Sequence, residues 1–113
     1  MKNNRDFIGY GLDRPSVEWP NAARLALSIV VNYEEGSEYS ILDGDPFHEV
    51  NNEVPSPVPS GYRDLANESF FEYGSRVGVW RLMRILDQFN VPASFFCCAL
   101  ALERNPDVGR EIV

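Results

Sequence analysis

The residues best suited to chemistry are two adjacent carboxylates, Glu34 and Glu35, which are followed by Gly36. They come directly after "LALSIVVNY", a nearly continuous apolar run that ends at Tyr33. A poorly solvated carboxylate at the end of a buried strand is suited to act as a general base. Because successive strand residues point in opposite directions, we expect the two carboxylates to diverge and only one to face a pocket. The alternative interpretation is that both are solvated turn residues.

The apolar run is the element that must hold these carboxylates in place. Residues 23–33, "ARLALSIVVNY", predict a strand that is buried on both faces, as in a parallel sheet. Ligands and catalytic groups of α/β folds gather at the carboxyl ends of such strands. The position of the carboxylates therefore favours a functional site.

A helix and a second strand are predicted further along the chain. Apolar residues recur at spacings of mostly three over residues 76–89, which predicts an amphipathic helix with Ser75 as its N-cap and a stop at Asn90. Residues 92–100 predict a short buried strand, and Asn105 predicts the start of another helix. This order of elements predicts a βαβ unit with two parallel strands.

Residues 36–67 form a long irregular stretch, which we expect to be either a lid or binding loop, or disordered. The sole histidine, His48, lies in this stretch and is expected to be solvated. Without a second histidine, these residues cannot form a histidine-rich zinc site. Cys97 and Cys98 are adjacent, and we interpret them as small buried apolar side chains rather than as a vicinal redox pair.

Composition narrows the classes of partner. The chain has 113 residues, 44% of them hydrophobic, and a net charge of −7. This acidic balance argues against nucleic acid and anionic membranes as partners. No apolar run approaches the roughly 20 residues that span a bilayer, and "MKNNRDFIGYG" has no signal-peptide core, so we predict a cytoplasmic protein.

A parallel sheet must have both faces covered, and a unit with only two strands cannot cover both by itself. The sequence therefore predicts one piece of a larger α/β protein. Residues 1–23 are polar and rich in turn residues, and their aromatic side chains indicate an arm that packs onto another surface. Residues 24–113 then form the first part of the larger domain, which we expect to continue beyond Val113.

The carboxylate pair also carries a family resemblance. "NYEEG" is similar to the "TFDDG" motif of the polysaccharide deacetylase (NodB-homology) family, and the chain looks closest to the metal-independent allantoinases of that family. The resemblance runs from Arg5 to Val108 and matches the N-terminal third of the family domain. Five blocks carry it in the same order: "DFIGYG", "WPNAARLAL", "VVNYEEGSEYSILDGD", "ESFFEYGSRVGVWRLMRIL" and "ALERNPDV".

The resemblance implies the N-terminal fragment of a distorted (β/α) barrel of the glycoside hydrolase/deacetylase type. In metal-dependent members the first motif aspartate is the base and the second binds the metal, and these positions match Glu34 and Glu35. The extra methylene moves each carboxylate by about one bond length, whereas metal geometries tolerate only ~0.2 Å. Glutamate in place of aspartate at both positions therefore favours the metal-independent branch, which uses no cofactor. It leaves open which glutamate is the base.

The implied reaction is hydrolysis of a cyclic amide, allantoin to allantoate, in purine catabolism, by a homo-oligomer for which the family implies a tetramer. One alternative is a metal-dependent polysaccharide N-deacetylase that acts on chitin or peptidoglycan and uses zinc. The other is a non-catalytic relative that serves as a binding or interface module.

Candidate substrate contacts lie in "ESFFEYGSR", residues 68–76, close to the strand ends if the long loop folds back. They are Glu68, Glu72, Tyr73 and Arg76, of which Arg76 could bind a ureido carbonyl and Tyr73 could form a wall of the pocket. The alternative interpretation is that Arg76 pairs with Glu72 and Tyr73 belongs to the core.

Overall fold

The structure, a computed structural model, describes residues 4–113. Within these residues the strands are β1 (Val30–Tyr33) and β2 (Ser94–Cys97), and the α-helices are α1 (Leu65–Tyr73), α2 (Val79–Gln88), α3 (Ala99–Arg104) and α4 (Pro106–Ile112). A π-helical segment (Gly74–Gly78) joins α1 to α2, and short 3-10 turns lie at Pro20–Ala22 and Ile41–Asp43.

The two strands pair in parallel, as predicted. Val30 lies opposite Ser94 and Tyr33 lies opposite Cys97. The carboxyl ends of β1 and β2 therefore lie side by side, and the segments that follow both strands meet at one edge of the sheet.

Both strands are shorter than the predicted segments 23–33 and 92–100. The expectation that the first strand is buried on both faces is also wrong, because Leu25 and Leu27 are 76% and 79% exposed. A ladder forms only where a partner strand lies alongside. β2 supplies a partner for four residues of β1 only.

The core lies between one face of this sheet and the helices. Its buried side chains are Tyr33 from β1, Val79 and Met83 from α2, Ala101 from α3 and Val108 from α4. Trp80, Phe95, Cys97, Cys98 and Leu102 pack against them and are partly buried. Both cysteines thus have the apolar packing role that the sequence predicts, although they are partly and not fully buried.

The main helix begins at Leu65, well before the predicted start at residue 76. Asp64 is its N-cap, because the carboxylate of Asp64 accepts hydrogen bonds from the backbone N–H groups of Ala66 (3.0 Å) and Asn67 (3.1 Å). Ser75 is therefore not an N-cap. Its hydroxyl lies inside the continuous helix and donates to two carbonyl oxygens of the preceding turn, each at 3.3 Å.

The irregular stretch between β1 and α1 is fixed to the start of that helix. The side-chain amide of Asn67 donates to the carbonyl oxygen of Glu49. Nδ1 of His48 lies 3.0 Å from the carbonyl oxygen of Tyr62. His48 is only 8% exposed, so the expectation of a solvated histidine is wrong. The stretch folds over this ring and buries it.

The described part of the arm, residues 4–23, has no α-helix or strand. Phe7, Tyr10 and Trp19 are all exposed, so the arm does not bury its aromatic side chains against residues 24–113. The guanidinium of Arg5 lies over the ring of Phe7, 4.7 Å from its centre.

Among residues 4–113, no helix is both long enough and apolar enough to cross a membrane.

Candidate active site

The corner after β1 is a tight turn that requires a glycine. The backbone N–H of Ser37 donates to the carbonyl oxygen of Glu34 at 2.9 Å, and the Ser37 hydroxyl donates to the same oxygen at 2.6 Å. Gly36 has φ = 101°, in the region that side chains disfavour. The turn fixes the directions in which the two carboxylates leave the strand.

Arg104 anchors this corner to α3. Its Nη1 donates to the carbonyl oxygen of Gly36 at 2.7 Å and lies 2.9 Å from Oδ2 of Asp43. One guanidinium thereby connects the corner, the end of α3 and the 3-10 turn of the irregular stretch.

The two glutamates have different surroundings. Glu34 is exposed, whereas Glu35 is partly buried and lines a cavity. Oε2 of Glu35 accepts a hydrogen bond from the backbone N–H of Glu34 at 3.2 Å. Only Glu35 lines the cavity, as expected for one of the two carboxylates. Because both glutamates follow Tyr33, the last residue of β1, the turn and not strand alternation sets their directions.

The cavity has a volume of about 390 Å³ and lies between β1 and the main helix. Three lining side chains carry groups that could take part in proton transfer or hydrogen bonding to a substrate: the carboxylate of Glu35, the phenol of Tyr73 and the guanidinium of Arg81. Nη1 of Arg81 donates to the hydroxyl of Tyr73 at 3.2 Å. The rest of the lining is mostly apolar: Val31, Val79, Leu82 and Ile85, with Asn32, Tyr33, Gly74 and Gly78.

Three of the predicted substrate contacts lie outside this cavity. Glu68 is held by Arg63 through two hydrogen bonds of 2.9 and 2.6 Å. Glu72 and Arg76 pair with each other at 3.3 Å on the exposed side of the helix. Of the four candidates in "ESFFEYGSR", only Tyr73 lines the cavity, as a wall and not as a core residue, since it is 49% exposed.

Arg81 is the cavity residue that sequence reasoning missed. The predicted helix begins at residue 76, and the predicted substrate contacts, which end at Arg76, do not include Arg81. Because the helix is continuous and π-helical from Gly74 to Gly78, the eight residues from Tyr73 to Arg81 make about two turns and place both side chains on one face. The spacing of eight residues between Tyr73 and Arg81 was the available signal, but it indicates a shared face only if the helix is known to be continuous.

Tyr33 lies beneath the corner with its hydroxyl buried. Burial raises the pKa of Tyr33, and the nearby carboxylate of Glu35 adds to the rise. The side chain of Asn105 opposes this rise in pKa, but the hydroxyl of Tyr33 completes no hydrogen bond with the described residues. Tyr33 is therefore a neutral core residue.

A second group of polar side chains surrounds the start of α1. Hydrogen bonds from Ser56 and from the backbone N–H of Asn67 hold the pKa of Asp64 below its usual range. Pairing with Arg63 lowers the pKa of Glu68. These carboxylates are already engaged in holding the irregular stretch on the helix, so we assign them a structural role.

No three His, Cys, Asp or Glu side chains converge on a metal position anywhere in residues 4–113.

Comparison with known proteins points to one group of hydrolases, although no family model matches the chain. A Schizosaccharomyces pombe protein described as a "putative polysaccharide deacetylase" is 38% identical over 112 residues, which cover 96% of this chain and 35% of that protein.

Two solved structures share the fold. A crystal structure of PuuE allantoinase has a TM-score of 0.84 and 44% identity, and the match covers 99% of this chain and 38% of that one. A "probable polysaccharide deacetylase" from Pseudomonas aeruginosa has a TM-score of 0.83 and 46% identity, with 97% and 37% coverage. The resemblance predicted from the sequence is confirmed, and this chain spans little more than a third of each relative.

Proposed function

We propose that the complete natural protein hydrolyses a carbon–nitrogen bond of a cyclic amide, and that it opens allantoin to allantoate in purine catabolism. The observation that carries the proposal is the cavity at the carboxyl end of β1, which Glu35, Tyr73 and Arg81 share. The 44% identity to an allantoinase structure supports the same reaction. The match covers only 38% of that structure. The proposal therefore includes catalytic and binding groups from parts of the complete protein outside these 113 residues.

In the proposed mechanism, Glu35 takes a proton from a water molecule as the water oxygen attacks the ring carbonyl carbon. Arg81 donates hydrogen bonds to the carbonyl oxygen as it becomes negative, and Tyr73 holds the guanidinium through its hydroxyl. The ring carbon–nitrogen bond then breaks, and the proton passes from Glu35 to the leaving nitrogen. Water has been added across the bond, which gives a carboxylic acid and a ureido N–H.

The proposal needs no metal or other cofactor. Glu34 and Glu35 stand where the motif of the metal-dependent deacetylases has aspartates. The added methylene in each moves the carboxylate by about one bond length, beyond the ~0.2 Å that metal geometry tolerates. Activation of the water then depends on Glu35 and on the donors around the carbonyl.

The test is allantoin ring-opening by the complete natural protein, before and after exhaustive treatment with a chelator. We expect turnover that survives chelation and that falls at least about 100-fold in Glu35→Gln, with a smaller loss in Glu34→Gln. Loss of turnover on chelation, with recovery on adding zinc, would contradict the metal-free mechanism. Absence of turnover in both states would contradict the substrate.

The similarity to the fission-yeast and Pseudomonas polysaccharide deacetylases favours a second candidate, a polysaccharide N-deacetylase. Acetate release from N-acetylated sugar oligomers by the same preparation tests it. This candidate takes first place if acetate is released and the release requires zinc.

The proposal includes a small-molecule substrate, no nucleic acid or membrane partner, a cytoplasmic location and a homo-oligomer with a tetramer as the expected form. Light scattering of the purified complete protein measures the oligomeric state directly.

A further inference from the structure

The side chain of Glu35 lies directly against the backbone of Gly74. A Cβ placed on Gly74 would be 2.5 Å from Oε1, 2.6 Å from Cγ and 2.7 Å from Cδ of Glu35. Carbon atoms in normal contact are about 3.5–4.0 Å apart, so a methyl group there would displace the carboxylate by about 1 Å.

Backbone conformation does not explain this glycine. Gly74 has φ = −55° and ψ = −52°, ordinary helical values that alanine adopts readily. Glycine in a helix interior weakens the helix relative to alanine. A glycine with helical angles inside a helix therefore needs another reason, and the close approach of Glu35 supplies one.

Gly74 also begins the π-helical segment, and that segment is held from a second side. The side-chain amide of Asn105 donates to the carbonyl oxygen of Ser75 at 3.3 Å. This bond joins the start of α4 to the segment one residue after the contact with Glu35. The surface on which Glu35 lies is thus fixed by the helix and by α4 together.

We propose that Gly74 is a positioning residue: its bare backbone seats the carboxylate of Glu35 at the angle from which it takes the proton of the attacking water. The inference rests on the proposed function for its catalytic consequence. Its structural part, that the backbone of Gly74 holds the carboxylate of Glu35 in place, depends only on the contact between these two residues.

The test is Gly74→Ala in the complete natural protein, with Gly109→Ala as the matched control. Gly109 is also helical, but a Cβ there would lie 3.7 Å from Leu102, an ordinary contact outside the cavity. We expect Gly74→Ala to lower kcat about 100-fold, with little change in KM and an equal or higher Tm, because a displacement of about 1 Å is enough to impair catalysis that strongly. Gly109→Ala should keep the wild-type kcat.

Coupling to Glu35 separates positioning from a general structural effect. Shortening the side chain in Glu35→Asp withdraws the carboxylate from the added methyl group. The double variant of Gly74→Ala and Glu35→Asp should therefore be no slower than Glu35→Asp alone. Multiplicative losses, or a fall in Tm that accounts for the lost activity, would overturn the proposal.

Crystal structures of the wild type and of both glycine variants test the positioning of Glu35 separately from the proposed allantoin hydrolysis. If the wild type does not open allantoin, the function fails, but a carboxylate of Glu35 displaced by about 1 Å in Gly74→Ala and unmoved in Gly109→Ala still supports the seat. An unmoved carboxylate in Gly74→Ala overturns it.

Discussion

Arg76 and Arg81 lie five residues apart on one continuous helix, and both are exposed, but they have different partners. Arg76 pairs with Glu72 in an exposed position, where an ion pair contributes little. Arg81 reaches into the cavity and donates to the hydroxyl of Tyr73. Two side chains of the same type thus differ in function because they lie on different faces of the helix.

The two arginines provide a matched pair of variants. We expect Arg81→Ala to lower kcat/KM for allantoin about 100-fold, because it removes a charged donor from the oxygen that becomes negative. Arg76→Ala should stay within about twofold of wild type, since an exposed ion pair has little effect. Steady-state kinetics on both variants measure this, and equal losses would contradict the assignment of the cavity.

Tyr33 allows a prediction about stability and pH. Its buried hydroxyl completes no hydrogen bond within residues 4–113, so Tyr33→Phe should be as stable as wild type or up to about 1 kcal/mol more stable. Burial raises the pKa of Tyr33, so the folded state holds the proton more tightly than the unfolded state does. The resulting stability is present below the usual tyrosine pKa of about 10 and is lost as pH rises through the higher folded pKa.

Urea unfolding of the complete protein between neutral pH and pH 11 checks this sign. The wild type should lose stability above about pH 10, and Tyr33→Phe should lose less. Tyr10→Phe, at an exposed position of the arm, is the control and should behave as wild type does. A marked loss of stability in Tyr33→Phe at neutral pH would mean that the hydroxyl has a partner after all.

At the scale of elements, the start of α1 depends on Asp64. Its carboxylate caps the helix and accepts a bond from Ser56 of the irregular stretch, and these bonds lower its pKa. A lowered pKa contributes stability above the usual pKa of about 4, and this stability is lost as pH falls through the lower folded value.

We therefore expect Asp64→Ala to be less stable than wild type at neutral pH, with the difference shrinking below about pH 4 as the wild-type carboxylate is protonated. Denaturant unfolding at a series of pH values measures both curves. Asp87→Ala is the control, because the Asp87 side chain is exposed in α2 and makes no hydrogen bond or ion pair with the described residues. Parallel curves for Asp64→Ala and wild type would contradict the capping role.

Local patterns predicted the strands, the parallel pairing and the carboxylates at the strand end, because period and apolar runs report local burial directly. They failed at the helix start, which they placed at Ser75. A serine before an apolar stripe is typical of an N-cap, yet Ser75 lies inside a π-helical segment that joins α1 to α2. The segment contacts Glu35 and Asn105, which are distant in sequence. Local periodicity does not report such contacts, so it revealed neither the helix start nor the role of Arg81.

The whole molecule leaves much apolar surface exposed. Its radius of gyration is 20.1 Å, whereas a compact domain of this length has about 13 Å. Among residues 4–113 the fully buried core consists of five apolar side chains. Other large apolar side chains are at least two-thirds exposed, such as Ile8, Leu12, Leu25 and Phe96. Exposed apolar surface of this kind favours association, and so does an edge of β1 that pairs with no other strand of the described residues.

We therefore expect the isolated 113-residue chain to aggregate or to remain molten. Size-exclusion chromatography should give aggregates, dye binding should report exposed apolar surface, and heating should give no cooperative transition. The same measurements decide between an enzyme segment and the non-catalytic module, because a module must fold by itself in order to bind. A monomer that melts cooperatively would favour the module, and its exposed apolar side chains would then be the surface on which to look for a partner.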